Sequence, residues 1–372
     1  MKLILTIARV LTGVLFIFSG LVKAIDPRGL AYKMEEFFEA WASSGFMKQM
    51  MESLGHYSLL FSIMMITLEV AVGVALLIGW KRKITTWVLF LLMAFFTFLT
   101  SYVLFSGKIR SCGCFGDCVP LTPIQTFTKD IILLVLSLLL LFQHRRIKPL
   151  LSRIYGGVVI LLTIVLTLML QFYVMKHLPL IDCLPYKVGN NLIELRKMPP
   201  GAIPDKYDYQ FVYEKNGEKK NYAVTDLPDS TWNFVERKQT LIQKGINNIP
   251  LINDFSLTDE DGNDVTESIL NEPGKYYLLF MKEAPDNGDA WQKDLKRISD
   301  ELKQKNIHFY IVTATRSLVK TLIDRLNISY EGILTSDATA IKTAARANPT
   351  LFIMDGPVVA GKYGWADFDK VK

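Results

Sequence analysis

Apolar residues run together in the first half of the chain and thin out after about residue 176. A hydrocarbon core of about 30 Å takes roughly 20 apolar residues as helix. Five segments approach or meet that length: 3–22, 57–79, 84–105, 131–142 and 154–174. The fourth is long enough only if 127–130 joins it. The first reads as a retained helix, because no small-x-small cleavage site follows and the chain continues into Asp26-Pro27. Between the first two spans, Tyr32, Phe37, Phe38 and Trp41 interleave with Lys33, Glu35, Glu36 and Glu39. That spacing suits a helix lying at the interface and capping the bundle, its aromatic side towards lipid or towards the other helices.

The second half changes period. Residues 207–214 alternate as a strand, Asn216-Gly217 is a hairpin turn, and 219–224 is its partner. Pro228, Trp232 and Phe234 then begin a more compact element, so 179–248 reads as a β-rich connector that packs on the membrane half. From 249 the pattern predicts a short strand and turn at 254–263, a strand at 276–281 and a helix at 291–305. A strand at 308–313, helices at 317–326 and 341–347, and a hairpin about Asp355-Gly356 complete it. Strands alternating with helices indicate an α/β layer with parallel pairs.

Composition sharpens this picture in one respect. Half of the 372 residues are hydrophobic and 21% are charged, close to the roughly 45–50% and about 25% of ordinary globular domains. This excludes a disordered chain, a collagenous repeat and a small disulfide scaffold. The net charge of +6 is modest, and its clusters flank apolar runs, which points to membrane topology and away from nucleic acid. Lys81-Arg82-Lys83 and His144-Arg145-Arg146, with Lys148 and Arg153, stay in the cytoplasm by the positive-inside rule. The N-terminus is then cytoplasmic, and the loop at 106–126 and everything after about 176 lie outside.

Three of the four cysteines fall within seven residues, Cys112, Cys114 and Cys118, in the outer loop after the third span; the fourth is Cys183. Gly113 and Gly116 permit left-handed backbone that gathers the thiols. A Cys-x-Cys pair closes a very small ring and is easily reduced, and Cys118 is an alternative partner for either thiol, with Asp117 near enough to steer a proton. Three readings stay open: disulfide exchange, a static brace, and a thiolate site for Cu(I) or zinc. The metal reading lacks a nearby histidine and the Cys-x-x-Cys spacing of structural zinc. Cys183 completes an even set if its segment packs against the loop, and is otherwise a lone interfacial cysteine. Arg9 and Glu69 lie inside spans one and two. They either pair or line a polar pocket, or Arg9 snorkels to the nearby surface.

Phe18-Ser19-Gly20-Leu21-Val22-Lys23-Ala24-Ile25-Asp26-Pro27 resembles the end of the first helix in DoxX-like membrane proteins. The Cys-Gly-Cys-Phe-Gly loop resembles that of the methylamine-utilisation protein MauE, of the same superfamily, over about residues 1–142. The resemblance implies a four-helix bundle concerned with thiol–disulfide handling during maturation of exported proteins. The layout is also similar to quinone-coupled disulfide-generating enzymes, which implies a quinone, although their Cys-x-x-Cys is absent here. Asn348-Pro349-Thr350-Leu351-Phe352-Ile353 resembles the cis-proline strand of thioredoxin-like domains; by that resemblance the domain either binds extended polypeptide beside Pro349 or is a structural remnant. The stretch 282–291, where such domains carry their cysteines, has none, and Asp286 and Asp289 there read as helix caps. The whole is similar to fused DoxX-like proteins of Bacteroidetes-type bacteria, which places it in a bacterial inner membrane with a periplasmic C-terminal domain.

The expected architecture is a polytopic α-helical membrane bundle, a four-helix DoxX-like core (1–145) plus a fifth span (146–178). The connector (179–248) and an exported α/β thioredoxin-like domain lacking the cysteine pair (249–372) follow. Three functions compete. The first is a thiol–disulfide component using Cys112, Cys114 and Cys118 on an exported protein partner. The second is an envelope scaffold with a structural disulfide, and the third a transporter or small-ligand binder centred on Arg9 and Glu69. No nucleotide loop, metalloprotease motif or nucleophile elbow occurs, and His56, His144, His177 and His308 are scattered.

Overall fold

The computed structural model describes residues 2–45, 47–109, 113–215, 217–243, 245–285 and 290–371. Cys112, Asn216, Asp286 and Asp289 lie outside the described residues.

Among the described residues, five helices are long and apolar enough to cross a membrane: α1 (Lys2–Ala24), α4 (Ser58–Ile78), α5 (Arg82–Ser106), α6 (Pro123–Phe142) and α7 (Arg153–His177). Between the first two lie α2 (Pro27–Ser43) and α3 (Lys48–Gly55). The fourth span starts eight residues before the apolar run does. Thr122 and Gln125 form a reciprocal capping box there, and Pro123 occupies the first turn, so Lys129 and Asp130 are carried into the helix. Asp26 caps α2, its side chain accepting from the Gly29 backbone N–H, with Pro27 at the first position. Apolar burial does not drive helices together in lipid, so close packing and polar bridges must. Where α1 crosses α4, a Cβ on Gly73 would stand 2.9 Å from the Gly13 carbonyl oxygen, a gap only glycine leaves open. Phe16, Leu76, Leu89, Met93, Leu133 and Leu140 fill the centre of α1, α4, α5 and α6. The fifth helix, α7, packs outside on α4, where buried Gln171 donates to Thr67. The interfacial helix turns its aromatic side inward: Phe37 is buried with Leu99, Val103 and Ile109.

A short helix α8 (Leu192–Arg196) follows, then a three-stranded antiparallel sheet of β1 (Lys206–Lys215), β2 (Glu218–Ala223) and β3 (Asn233–Gln243), ordered β2-β1-β3. The hairpin pairs Lys215 with Glu218 as the sequence predicts. The stretch read as a more compact element is instead the strand β3, exposed along its whole length. Val212 is the buried side chain of β1. The segment before this sheet joins the next layer: Tyr186 and Leu192 pack with Phe255 and Leu257, and the Leu192 backbone N–H donates to the Pro357 carbonyl.

The α/β layer contains α9 (Thr266–Leu270), β4 (Lys275–Met281), α10 (Gln292–Gln304), β5 (Phe309–Thr313), α11 (Arg316–Arg325), β6 (Gly332–Thr335), α12 (Ala338–Ala344), β7 (Thr350–Asp355) and β8 (Val358–Gly364). The strand order is β6-β5-β4-β7-β8, with β4, β5 and β6 parallel and β7 and β8 antiparallel. This is a thioredoxin-like arrangement with an added edge strand. Tyr276, Leu278 and Phe280 face one apolar cluster and Tyr277, Leu279 and Met281 the other, so the central strand reads as an unbroken apolar run. Residues 254–257 form no strand; Phe255 and Leu257 enter the core, and a bridge from Thr258 to Asp264 closes the turn. The Asn348–Pro349 bond is cis, as in the resembled strand.

Candidate functional site

Behind α5 the cysteine loop folds back into the open end of the bundle. Gly113 and Gly116 have φ of 68° and 58°, and the Gly116 backbone N–H donates to the Gly113 carbonyl, making a tight turn. That turn pushes Phe115 inward, where it is buried beside Phe18 and beneath the Lys129 ammonium. Ser19, within the glycine-containing end of α1, donates to the Cys114 carbonyl at 2.9 Å. Held at both points, the Cys114 sulfur lies 3.9 Å from Asp130 Oδ2 and donates to it at sulfur range.

The surroundings are charged. Asp130 is fully buried and pairs with Lys129 at 2.5 Å. Beneath them Lys23 and Glu69 pair at 2.7 Å, and the Lys23 ammonium lies 5.0 Å from the centre of the Phe96 ring. Intramembrane charges are costly, face the protein interior and mark functional positions. Cys114, Lys23, Glu69, Lys129 and Asp130 line one pocket of about 20 Å³, the space of a single water. The quinone implied by the layout does not fit this pocket.

Cys118 is bonded to Cys183, with their Cα atoms 5.0 Å apart across 65 residues of sequence. The bond ties the loop to the segment leaving α7. It withdraws one of the three sulfurs a loop thiolate site would use, and among the described residues no three His, Cys, Asp or Glu side chains converge to hold a metal.

Each cysteine of this bond follows an aspartate, and both aspartates are bound by the α/β layer. Arg346, just past α12, donates from Nη2 to Asp117 at 2.7 Å and from Nε to Asp26 at 2.8 Å. Burial disfavours its charge, but the two carboxylates outweigh that and hold its pKa above the ordinary value. Lys362 on β8 reaches Asp182 at 2.7 Å. Burial dominates there and depresses its pKa, with Asp182 only partly offsetting it. Lys342 pairs with Glu35 at 2.7 Å, and His177 meets Asp367 at 3.0 Å. Gly364 lies so close to α7 that a Cβ would stand 2.5 Å from the Lys176 carbonyl oxygen.

Other predicted positions separate. Arg9 does not pair with Glu69; it donates to the Leu76, Leu77 and Lys148 carbonyls. There it satisfies the carbonyls that a helix C-terminus leaves unpaired, while Glu69 takes Lys23 as its partner. The two therefore do not form a common site. Pro349 is buried. Its neighbour Asn348 and the loop residues Lys282 and Glu283 line a cleft of about 440 Å³ facing Arg28, Tyr32, Phe172 and Lys176 of the membrane domain. The local sequence does not mark Lys23, Lys129, Asp130, Arg346 or Lys362 as site residues. For Lys129-Asp130 a signal existed, two adjacent charges at the rim of an apolar run.

Residues 1–143 match the family described as methylamine utilisation protein MauE, and residues 207–244 match a domain of unknown function, DUF8463. Protein TlpB of Flavobacterium psychrophilum is 34% identical over 140 residues, covering 36% of this chain and 35% of that protein. The chain thus matches about a third of the length of this curated relative. A solved thiol:disulfide interchange protein from Bacteroides sp. aligns at 16% identity with a TM-score of 0.25, over 31% of this chain and 82% of that one. The chain joins a MauE-type membrane domain to a thioredoxin-like α/β domain, the latter read from its strand order.

Proposed function

We propose that this protein is an inner-membrane component of thiol–disulfide handling, with Cys112 and Cys114 as the exchanging pair and Cys118–Cys183 as a brace. The N-terminus is cytoplasmic and the thioredoxin-like domain periplasmic, following the basic loops. One observation carries the reading: the Cys114 sulfur rests on the buried Asp130 carboxylate, which pairs with the partly exposed Lys129 above the buried Lys23–Glu69 pair. A thiol becomes a nucleophile by losing its proton near a cation. Asp130 accepts that proton, and Lys129 stabilises the thiolate left behind.

The thiolate attacks a disulfide of an exported protein, forming a mixed disulfide and releasing one partner thiolate. The Cys112 thiolate then attacks the Cys114 sulfur and releases the second. The loop loses two electrons as Cys112–Cys114 forms, and the partner gains them with two protons. The same steps run in reverse oxidise a partner dithiol.

The test is thiol alkylation with mass-spectrometric assignment in intact cells. A Cys112→Ala variant should trap a mixed disulfide between Cys114 and a partner. Asp130→Asn should slow Cys114 alkylation at neutral pH by roughly two orders of magnitude, the usual scale of a lost general base. If nothing is trapped and Asp130→Asn alkylates at the wild-type rate, the exchange reading fails. The scaffold reading, which the Cys118–Cys183 brace favours, would replace it.

A further inference from the structure

The two aspartates bound by the α/β domain are the residues immediately before the two bonded cysteines, Asp117 before Cys118 and Asp182 before Cys183. Their partners, Arg346 and Lys362, keep only 7% and 3% of their side chains exposed. We infer that the Cys118–Cys183 bond and the docking of the thioredoxin-like domain onto the membrane domain form one redox-sensitive latch, each state stabilising the other. This goes beyond the exchange reading, since it concerns a different pair of cysteines and requires no turnover at Cys114.

With the bond closed, the loop and the segment leaving α7 are joined, so Asp117 and Asp182 stand at fixed positions relative to each other. The cations then meet partners that are already ordered. When the bond opens, the two segments move independently, and docking must order them again at an entropic cost. A buried cation that loses its carboxylate is also heavily penalised, so the cations transmit the state of the bond to the domain. Asp26, at the N-cap of α2, holds the Nε side of the Arg346 guanidinium, which gives the loop aspartate one defined place to land.

Linkage makes the coupling reciprocal. If the closed bond strengthens docking by some factor, docking protects the bond by the same factor. Weakening the dock must therefore make Cys118–Cys183 easier to reduce. This also gives the cysteine-free domain a role: it holds the neighbouring loop closed over the bundle and releases it on reduction.

The experiment is a dithiothreitol titration of the full-length protein in lipid nanodiscs, with alkylation of Cys118 and Cys183 followed by mass spectrometry. Dithiothreitol closes to its cyclic disulfide as two electrons and two protons pass to the cysteines. Arg346→Gln and Asp117→Ala should each move the midpoint to at least about fivefold less reductant, the low end of typical coupling factors. The double variant should shift little further than Arg346→Gln alone, because with Arg346 gone the loss of Asp117 breaks no additional contact with it. Gly364→Ala, which obstructs docking and alters no charge, should shift the midpoint the same way. In the opposite direction, Cys118→Ser with Cys183→Ser should raise hydrogen exchange across 338–346. Asp117 is partly exposed, so its variant tests the idea even if Arg346→Gln misfolds. Midpoints within twofold of wild type in Asp117→Ala and Gly364→Ala overturn the latch. A failed partner trap at Cys114 leaves it untouched.

Discussion

Lys23 and Glu69, on α1 and α4, form a 2.7 Å ion pair of which about 3% of either side chain is exposed. Their chain separation is 46 residues, and the pair lies directly under the cysteine loop. A buried pair owes little net stability to its attraction, yet leaving one member alone strands a charge. Glu69→Gln or Lys23→Met should each cost about 3–5 kcal/mol. The double change Lys23→Met with Glu69→Leu should recover much of that. Thermal unfolding in detergent measures all three, and additive losses would show that the pair is not coupled.

Phe115 closes the top of the same pocket, buried beside Phe18. Phe115→Ala should cost about 3 kcal/mol, the low end for a buried aromatic, because the ring sits at the rim of the bundle. Cys114 should also alkylate faster as its cover is lost. Destabilisation with unchanged alkylation would mean that the ring does not shield the sulfur.

Arg9 acts at the far end of α4, on the carbonyls of Leu76 and Leu77. Arg9→Ala should lower stability by about 1.5 kcal/mol or more, the worth of hydrogen bonds from a charged donor, and increase hydrogen exchange in the last turn of α4. Cys114 alkylation should stay at the wild-type rate. A change there would mean that Arg9 communicates with the cysteine loop.

Asp337 caps α12, accepting from the Thr339 and Ala340 backbone N–H groups, and those bonds hold its pKa below the usual 3.8. A depressed acid contributes stability fully above 3.8 and loses it as pH falls through the lowered folded value. Asp337→Ala should cost about 1 kcal/mol at neutral pH. The gap between variant and wild type should close in strong acid. Because α12 leads into Arg346, the variant should also loosen the interdomain contact. A gap that persists at pH 2 would assign the loss to something other than the cap.

Much of this architecture was legible locally. Runs of apolar residues give the five spans, since a helix in lipid must satisfy its own backbone and present apolar side chains wherever it meets hydrocarbon. Alternation and the Asn216-Gly217 pair give the connector hairpin. The order of apolar strands and amphipathic helices gives the α/β layer, because burial on one or two faces writes a period into each element. The misses were local ambiguities: Gly332–Thr335 is too short to declare itself a strand, and the polar start of α6 is hidden until its capping box is considered.

The partners were not legible, for a different physical reason. Period and propensity belong to one stretch of chain, whereas an ion pair or disulfide depends on how distant stretches meet. Position along the chain is enough to put three cysteines in one loop and Arg9 and Glu69 in adjacent spans. Tertiary packing decided that Cys118 bonds Cys183, that Glu69 takes Lys23, and that Cys114 rests on Asp130. Arg346 and Asp117 meet across 229 residues. Nothing in either neighbourhood marks them as partners, because only the docked domain brings the two charges into the same low-dielectric space.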